Sequence, residues 1–157
     1  MGLSQDQSPN TPPQPQPSTS NPPKDAAQLP SEAIELATKL FDFARHGQTA
    51  ELRQYITAGI PVNMTNHKGD TLLMLAAYHG HLPTVEMLIE KDADVNSLNE
   101  RGQSILAGAV FKLHDDVVKA LVEGGADVRA GQPNAVDTAR MFKREECLRM
   151  FGVQEEE

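Results

Sequence analysis

The chain has 157 residues, enough for one domain and a tail, with a net charge of −8 and an isoelectric point near 5.1. That balance argues against duplex nucleic acid as a partner, because phosphate binding draws on clustered Lys and Arg. A single cysteine, Cys147, rules out an internal disulfide and fits a reducing compartment.

The N-terminus lacks the apolar core of a secretory signal. No apolar run approaches the roughly 18–20 residues of a membrane helix. Gly2 begins a myristoylation pattern, but Asp6 stands where Ser or Thr is wanted. Residues 1–30 hold eight of the eleven prolines and no aromatic residue. Such a segment buries too little apolar surface to offset chain entropy, so a disordered Pro-rich tail is expected over 1–30. Pro9-Asn10-Thr11-Pro12 and Pro12-Pro13-Gln14-Pro15 have the spacing of a polyproline ligand. A solvated tail is the simpler reading, since Lys24 is the one base there. Ser8-Pro9 and Thr11-Pro12 are minimal phosphorylation patterns.

Helical patterning begins after Pro30. Ser31 reads as an N-cap, with Glu32 in the first turn opposing the helix dipole. Ile34, Ala37, Phe41 and Ala44 mark an apolar stripe that Leu36, Leu40 and Phe43 widen. Gly47 ends this helix, and 49–58 reads as a second, with Leu52, Tyr55 and Ile56 facing inward.

From here the chain aligns with itself at a shift of 33 residues. The run Gly69-Asp70-Thr71-Leu72-Leu73-Met74-Leu75-Ala76 falls on Gly102-Gln103-Ser104-Ile105-Leu106-Ala107-Gly108-Ala109. Val85, Leu88 and Ile89 fall on Val118, Leu121 and Val122. Thr38-Lys39-Leu40 and Gly47 precede Thr71-Leu72-Leu73 and Gly80 by the same interval of 33 residues. After a three-residue deletion, Ala139, Leu148 and Phe151 match Ala76, Val85 and Leu88. A period of this size with two helical stripes per unit indicates an all-α solenoid.

The residues Gly69-x-Thr71-x-Leu73-x-x-Ala76-Ala77, then Gly80-His81-Leu82, then Ala93-Asp94-Val95-Asn96 resemble the ankyrin-repeat family. Gly124-Gly125-Ala126-Asp127-Val128 repeats the last of these. The resemblance implies paired antiparallel helices joined by projecting hairpin loops. About four helix–turn–helix units fit, over 31–66, 67–99, 100–132 and 133–152, with an acidic tail over 153–157.

Two departures stand out. Thr71-Leu72-Leu73-Met74 and Ser104-Ile105-Leu106-Ala107 lack the family's Pro and His, so looser helix starts are expected. Leu113 replaces the inter-helix glycine of Gly47 and Gly80, and is strained if the position keeps a positive φ.

The resemblance also implies a concave surface of loop tips and inner helices that holds protein partners. The positions that map onto it are Arg45 and His46, then Thr65, His67, Lys68, Asp70, Tyr78 and His79. The third unit adds Leu98, Glu100, Arg101, Gln103, Phe111 and Lys112, and the last adds Met141 and Phe142. The set is basic and aromatic, whereas Glu51, Glu86, Glu90, Asp115, Asp116, Glu123, Glu145 and Glu146 fall on outer helices. A protein partner with an acidic segment is the expectation, against the alternative of an ordinary solvated surface.

Catalytic chemistry has little footing. His79, His81 and His67 lack a Cys or carboxylate at metal-ligand spacing, and His81 and His114 occupy one structural position of the repeat. Cys147 lies between Glu146 and Leu148, where partial burial as a small hydrophobe is expected. The pairs Asp115-Asp116 and Glu145-Glu146 begin helices, where they compensate the dipole. Asn63-Met64-Thr65 has the form of a glycosylation sequon, but Asn63 is the family's turn residue.

The expectation is therefore a monomeric, non-catalytic adaptor or regulator of the cytoplasm, or of the nucleus as well. It uses no catalytic residue, cofactor, metal, nucleic acid or membrane. A dedicated inhibitor or chaperone of one enzyme or assembly factor is the alternative. An enzyme using Cys147 or the histidines is a more distant one.

Overall fold

The computed structural model describes residues 31–153. The expectations for the Pro-rich tail, its motifs and the glutamates after Val153 fall outside these residues. Among the described residues eight helices follow one another: α1 (Ser31–His46), α2 (Thr49–Thr57), α3 (Leu72–Tyr78), α4 (Leu82–Glu90), α5 (Ile105–Phe111), α6 (Asp115–Glu123), α7 (Ala135–Met141) and α8 (Glu145–Met150). They form four antiparallel pairs in two layers. The odd-numbered helices pack side by side as an inner layer, and the even-numbered helices as an outer one. Isolated bridges Thr65–Thr71 and Leu98–Ser104 close the hairpins between pairs, and the described residues contain no longer strand.

The apolar stripes explain the layering. Ala37, Leu40, Phe41 and Ala44 of α1 are buried, as are Leu72, Leu73, Ala76 and Ala77 of α3, Ile105, Leu106, Ala109 and Val110 of α5, and Ala135, Val136 and Ala139 of α7. Alanine recurs at the tightest inner contacts, where Ala44, Ala76, Ala77, Ala109 and Ala139 are 0% exposed. A larger side chain there would push neighbouring helices apart. Leu52, Val85, Leu88, Val118, Leu121 and Leu148 fill the space between the layers. Ser31 is the first described residue of α1 itself, not a cap ahead of it.

Three of the inner helices start on a side-chain cap. Thr71 Oγ1 accepts from the Met74 N–H at 3.1 Å, Ser104 Oγ from Ala107 at 3.0 Å, and Asn134 Oδ1 from Asp137 at 2.7 Å. Each satisfies one of the orphan N–H groups of a helix end. Met74, which stands where the family has His, brings its sulfur within 3.4 Å of the Thr71 N–H. The helix starts thus keep their side-chain caps although the family's Pro and His are missing.

The repeat is also written in hydrogen bonds. Asn66 Oδ1 accepts from the N–H groups of Lys68 and Asp70, and Asn99 Oδ1 from those of Arg101 and Gln103. Asn63 Oδ1 takes the Asp94 N–H of the next unit, and Asn96 Oδ1 takes that of Asp127. Asn63 is thereby committed to the turn, as expected of it. Hairpins also join directly, Glu100 N–H to the Lys68 carbonyl and Gln132 N–H to that of Gly102.

The turns between paired helices share a left-handed residue: Gly47 (φ 72°), Gly80 (φ 77°), Leu113 (φ 67°) and Lys143 (φ 56°). Leu113 therefore keeps the positive φ that glycine would accommodate without strain. The next unit explains why some of these turns use glycine. The His81 Nε2–H donates to the Arg45 carbonyl at 2.6 Å, and the His114 Nε2–H to that of Tyr78 at 3.1 Å. Each imidazole lies over the turn before it. A Cβ at Gly47 would sit 2.6 Å from the His81 ring, and one at Gly80 would sit 2.7 Å from the His114 ring. The equivalent of these histidines in the last unit is Arg144. Its guanidinium pairs instead with Asp115 at 2.6 and 2.7 Å. With no imidazole over the turn, Leu113 has room, and its side chain is 62% exposed.

The three-residue deletion lies in the connection from α6 to α7. The linkers 58–71 and 91–104 have 14 residues each, whereas 124–134 has 11. Helix α8 is also short, six residues against nine in α6. The first shortening joins the third and fourth helix pairs, and the second lies in the fourth pair itself.

Candidate binding groove

Inner helices end, and hairpins project, on the same side of the stack. Between them runs a groove of about 600 Å³. Of the residues expected at a partner surface, Arg45, His67, Lys68, Asp70, Tyr78, His79, Arg101, Gln103 and Phe111 line it, as do Met141 and Phe142. His46, Thr65, Leu98, Glu100 and Lys112 do not. His46 is turned back onto α1, with Nδ1 2.9 Å from the Asp42 carbonyl oxygen. Glu100 is exposed on a hairpin whose backbone bonds to its neighbour. The Lys112 ammonium stands 5.0 Å from the Tyr78 ring centroid, a cation–π distance, so it abuts the groove through that ring.

Several lining residues have structural duties. Asn99 Nδ2 donates to Asp70 Oδ1 at 3.0 Å and to Gln103 Oε1 at 2.8 Å, tying successive hairpins together. Asp70 is the one carboxylate in the lining, and that bond occupies part of it. Arg45 shares its charge with Asp42 at 2.7 Å within α1. Lys68 and Arg101 occupy the same place on successive hairpins, and neither forms an ion pair among the described residues. The groove is therefore positively charged in a protein of net charge −8.

The apolar part is concentrated at the inner-helix ends. Tyr78 is 41% exposed, Phe111 53%, Met141 64% and Phe142 46%. Phe111 and Phe142 meet edge to face with centroids 5.5 Å apart. This exposed apolar surface is thus gathered at one place rather than scattered. The motif reading missed Leu75, Gly108 and Thr138, the fourth residues of α3, α5 and α7, which line the groove floor. Their shared repeat position was the available signal, but mixed residue types concealed it.

Partial desolvation, then the charges of His81, Arg45, Lys112 and His46, holds His79 below the ordinary imidazole range. Its ring stacks near that of His81 at 6.4 Å. His81 itself is committed to the Arg45 carbonyl. No group of three or more His, Cys, Asp or Glu side chains is placed to hold a metal among the described residues. Cys147 is fully buried rather than partly so, 3.8 Å from Asp115 Oδ1. Burial and the Asp115 charge push its thiol pKa up, against the pull of Arg144, which is the wrong direction for a nucleophile.

Among the described residues no helix is long and apolar enough to cross a membrane. Residues 40–132 match the family model for ankyrin repeats, in three copies. An ankyrin repeat protein of Pseudomonas aeruginosa is 49% identical over 51 residues, which is 32% of this chain and 30% of that protein. The crystal structure of the human ASB11 ankyrin repeat domain superposes with a TM-score of 0.61 at 25% identity. That superposition covers 71% of this chain and 51% of the other. The chain thus spans less than two thirds of either relative. Ankyrin repeats are in general protein–protein interaction modules. With its helix pairs, hairpins and matched repeats, the chain belongs to the ankyrin-repeat family.

Proposed function

We propose that this protein is a non-catalytic adaptor or regulator whose concave groove receives an acidic segment of a partner protein. The observation that carries this reading is the juxtaposition of Lys68 and Arg101 with Tyr78 and Phe111 in one groove. Aromatic side chains supply contact area at low entropic cost, and unpaired cations on a rim steer an anionic partner. The outer helices carry the acids, Asp115, Asp116 and Glu145 among them, so the charge is separated between the faces.

The test is capture of partners by the full chain and by a Tyr78→Ala/Phe111→Ala double variant, followed by affinity measurement on each captured protein. The reading expects partners that the double variant loses, whose contacting segment is rich in Asp and Glu. It also expects an association rate that falls with added salt. Partners retained at full affinity by the double variant would place the binding surface elsewhere.

A further inference from the structure

The groove floor is uneven at one place. The fourth residue of each inner helix lines it, and these are Leu75, Gly108 and Thr138. The flanking helices carry side chains there, and the middle one carries none. A Cβ at Gly108 would meet a single atom within 4 Å, Tyr78 Cδ1 at 3.6 Å, an ordinary contact. Packing therefore does not demand glycine, and neither does the backbone, which is helical at this residue. Glycine inside a helix weakens it relative to alanine. A local rule broken without structural return is expected at functional positions.

The result is a notch bordered by Tyr78 and Phe111, with Phe142 packed against Phe111. Lys68 and Arg101 stand on the hairpins that line the same groove. Resting on the reading of the groove as a site for an acidic segment, we propose that the notch over Gly108 is a subsite for one large apolar side chain of that segment. Carboxylates beside this anchor meet Lys68 and Arg101, and the anchor itself, a Leu, Phe or Trp, fills the space that a side chain at 108 would take. The partner is thus an acidic stretch interrupted by an apolar residue, not a uniformly acidic run.

The experiment uses the full chain and short fluorescent peptides of Glu and Asp with one central residue varied, read by anisotropy at low salt. The wild type should favour central Leu, Phe or Trp over Ala by about tenfold or more, the range expected of an apolar pocket. Gly108→Leu should cut that preference, read as the ratio of the two peptides' affinities, to about twofold or less. Gly108→Ala, which makes only the ordinary contact with Tyr78, covers the case in which the leucine variant does not fold. It should reduce the preference by about threefold, as partial filling requires. Peptides that all bind alike to the wild type, or a preference that survives in the Gly108 variants, would overturn the subsite and leave the groove reading standing. Failure of every acidic peptide to bind would overturn both.

Discussion

The substitution Gly80→Ala probes the relation between each turn and the histidine of the following unit. Gly80 has a φ of 77°, and its missing Cβ would lie 2.7 Å from the His114 ring. Forcing alanine into the left-handed region costs about 1–2 kcal/mol. Reduced freedom of the unfolded chain returns about 0.4–1 kcal/mol. The imidazole must also move, which sacrifices its bond to the Tyr78 carbonyl, a net of about 0.5–1.5 kcal/mol. The total is a destabilisation of about 2 kcal/mol, of which roughly half depends on His114. Urea denaturation of wild type, Gly80→Ala, His114→Ala and the double variant separates the parts. In the His114→Ala background, Gly80→Ala should cost only about 0.5–1 kcal/mol, the backbone share. A coupling below about 0.3 kcal/mol would refute the reasoning, because independent sites add within such limits.

Leu113→Gly should stabilise the protein by about 0.5–1 kcal/mol, since relief of the strained φ exceeds the entropy given to the unfolded chain; a clear loss in equilibrium denaturation would count against it. Arg144→Met should destabilise by about 1–3 kcal/mol, because it leaves Asp115 with a lost charge-assisted bond, and the change should show as a lower urea midpoint. His79 titrates lower in the folded state than its ordinary 6.5, so the folded protein binds fewer protons there than the unfolded chain. Its contribution is intact above that value and is lost as pH falls through the window beneath it, so His79→Gln should flatten the pH dependence of stability measured there. Tyr78→Ala and Phe111→Ala should each weaken partner binding by about 2 kcal/mol, as central aromatic anchors do, with unchanged helical circular dichroism.

The fold was readable because a solenoid repeats its contacts. Every unit solves the same packing problem, so the positions of Leu73, Leu106 and Val136 recur even where identities drift. The capping of α3 was less visible, because a methionine sulfur replaces an expected imidazole and no motif encodes that exchange. The tolerance of Leu113 could not be read locally either. Its reason lies in Arg144, on the unit that follows. Composition divides the face well, since Tyr78, Phe111, Lys68 and Arg101 do converge on one groove. It does not distinguish Asp70 and Gln103, which Asn99 engages within the hairpins, from residues available to a partner. Gly108 escaped notice because a missing side chain leaves no chemical signature in sequence.

Partner binding through the groove leaves a signature in backbone exchange. Hydrogen–deuterium exchange of the full chain, alone and saturated with a captured partner, addresses it most directly. A partner seated there gives new protection over hairpins 66–70 and 99–103 and at the ends of α3 and α5, with α4 and α6 unchanged. Protection concentrated on α4 and α6, with the groove exchanging as in the free protein, would contradict binding through the groove.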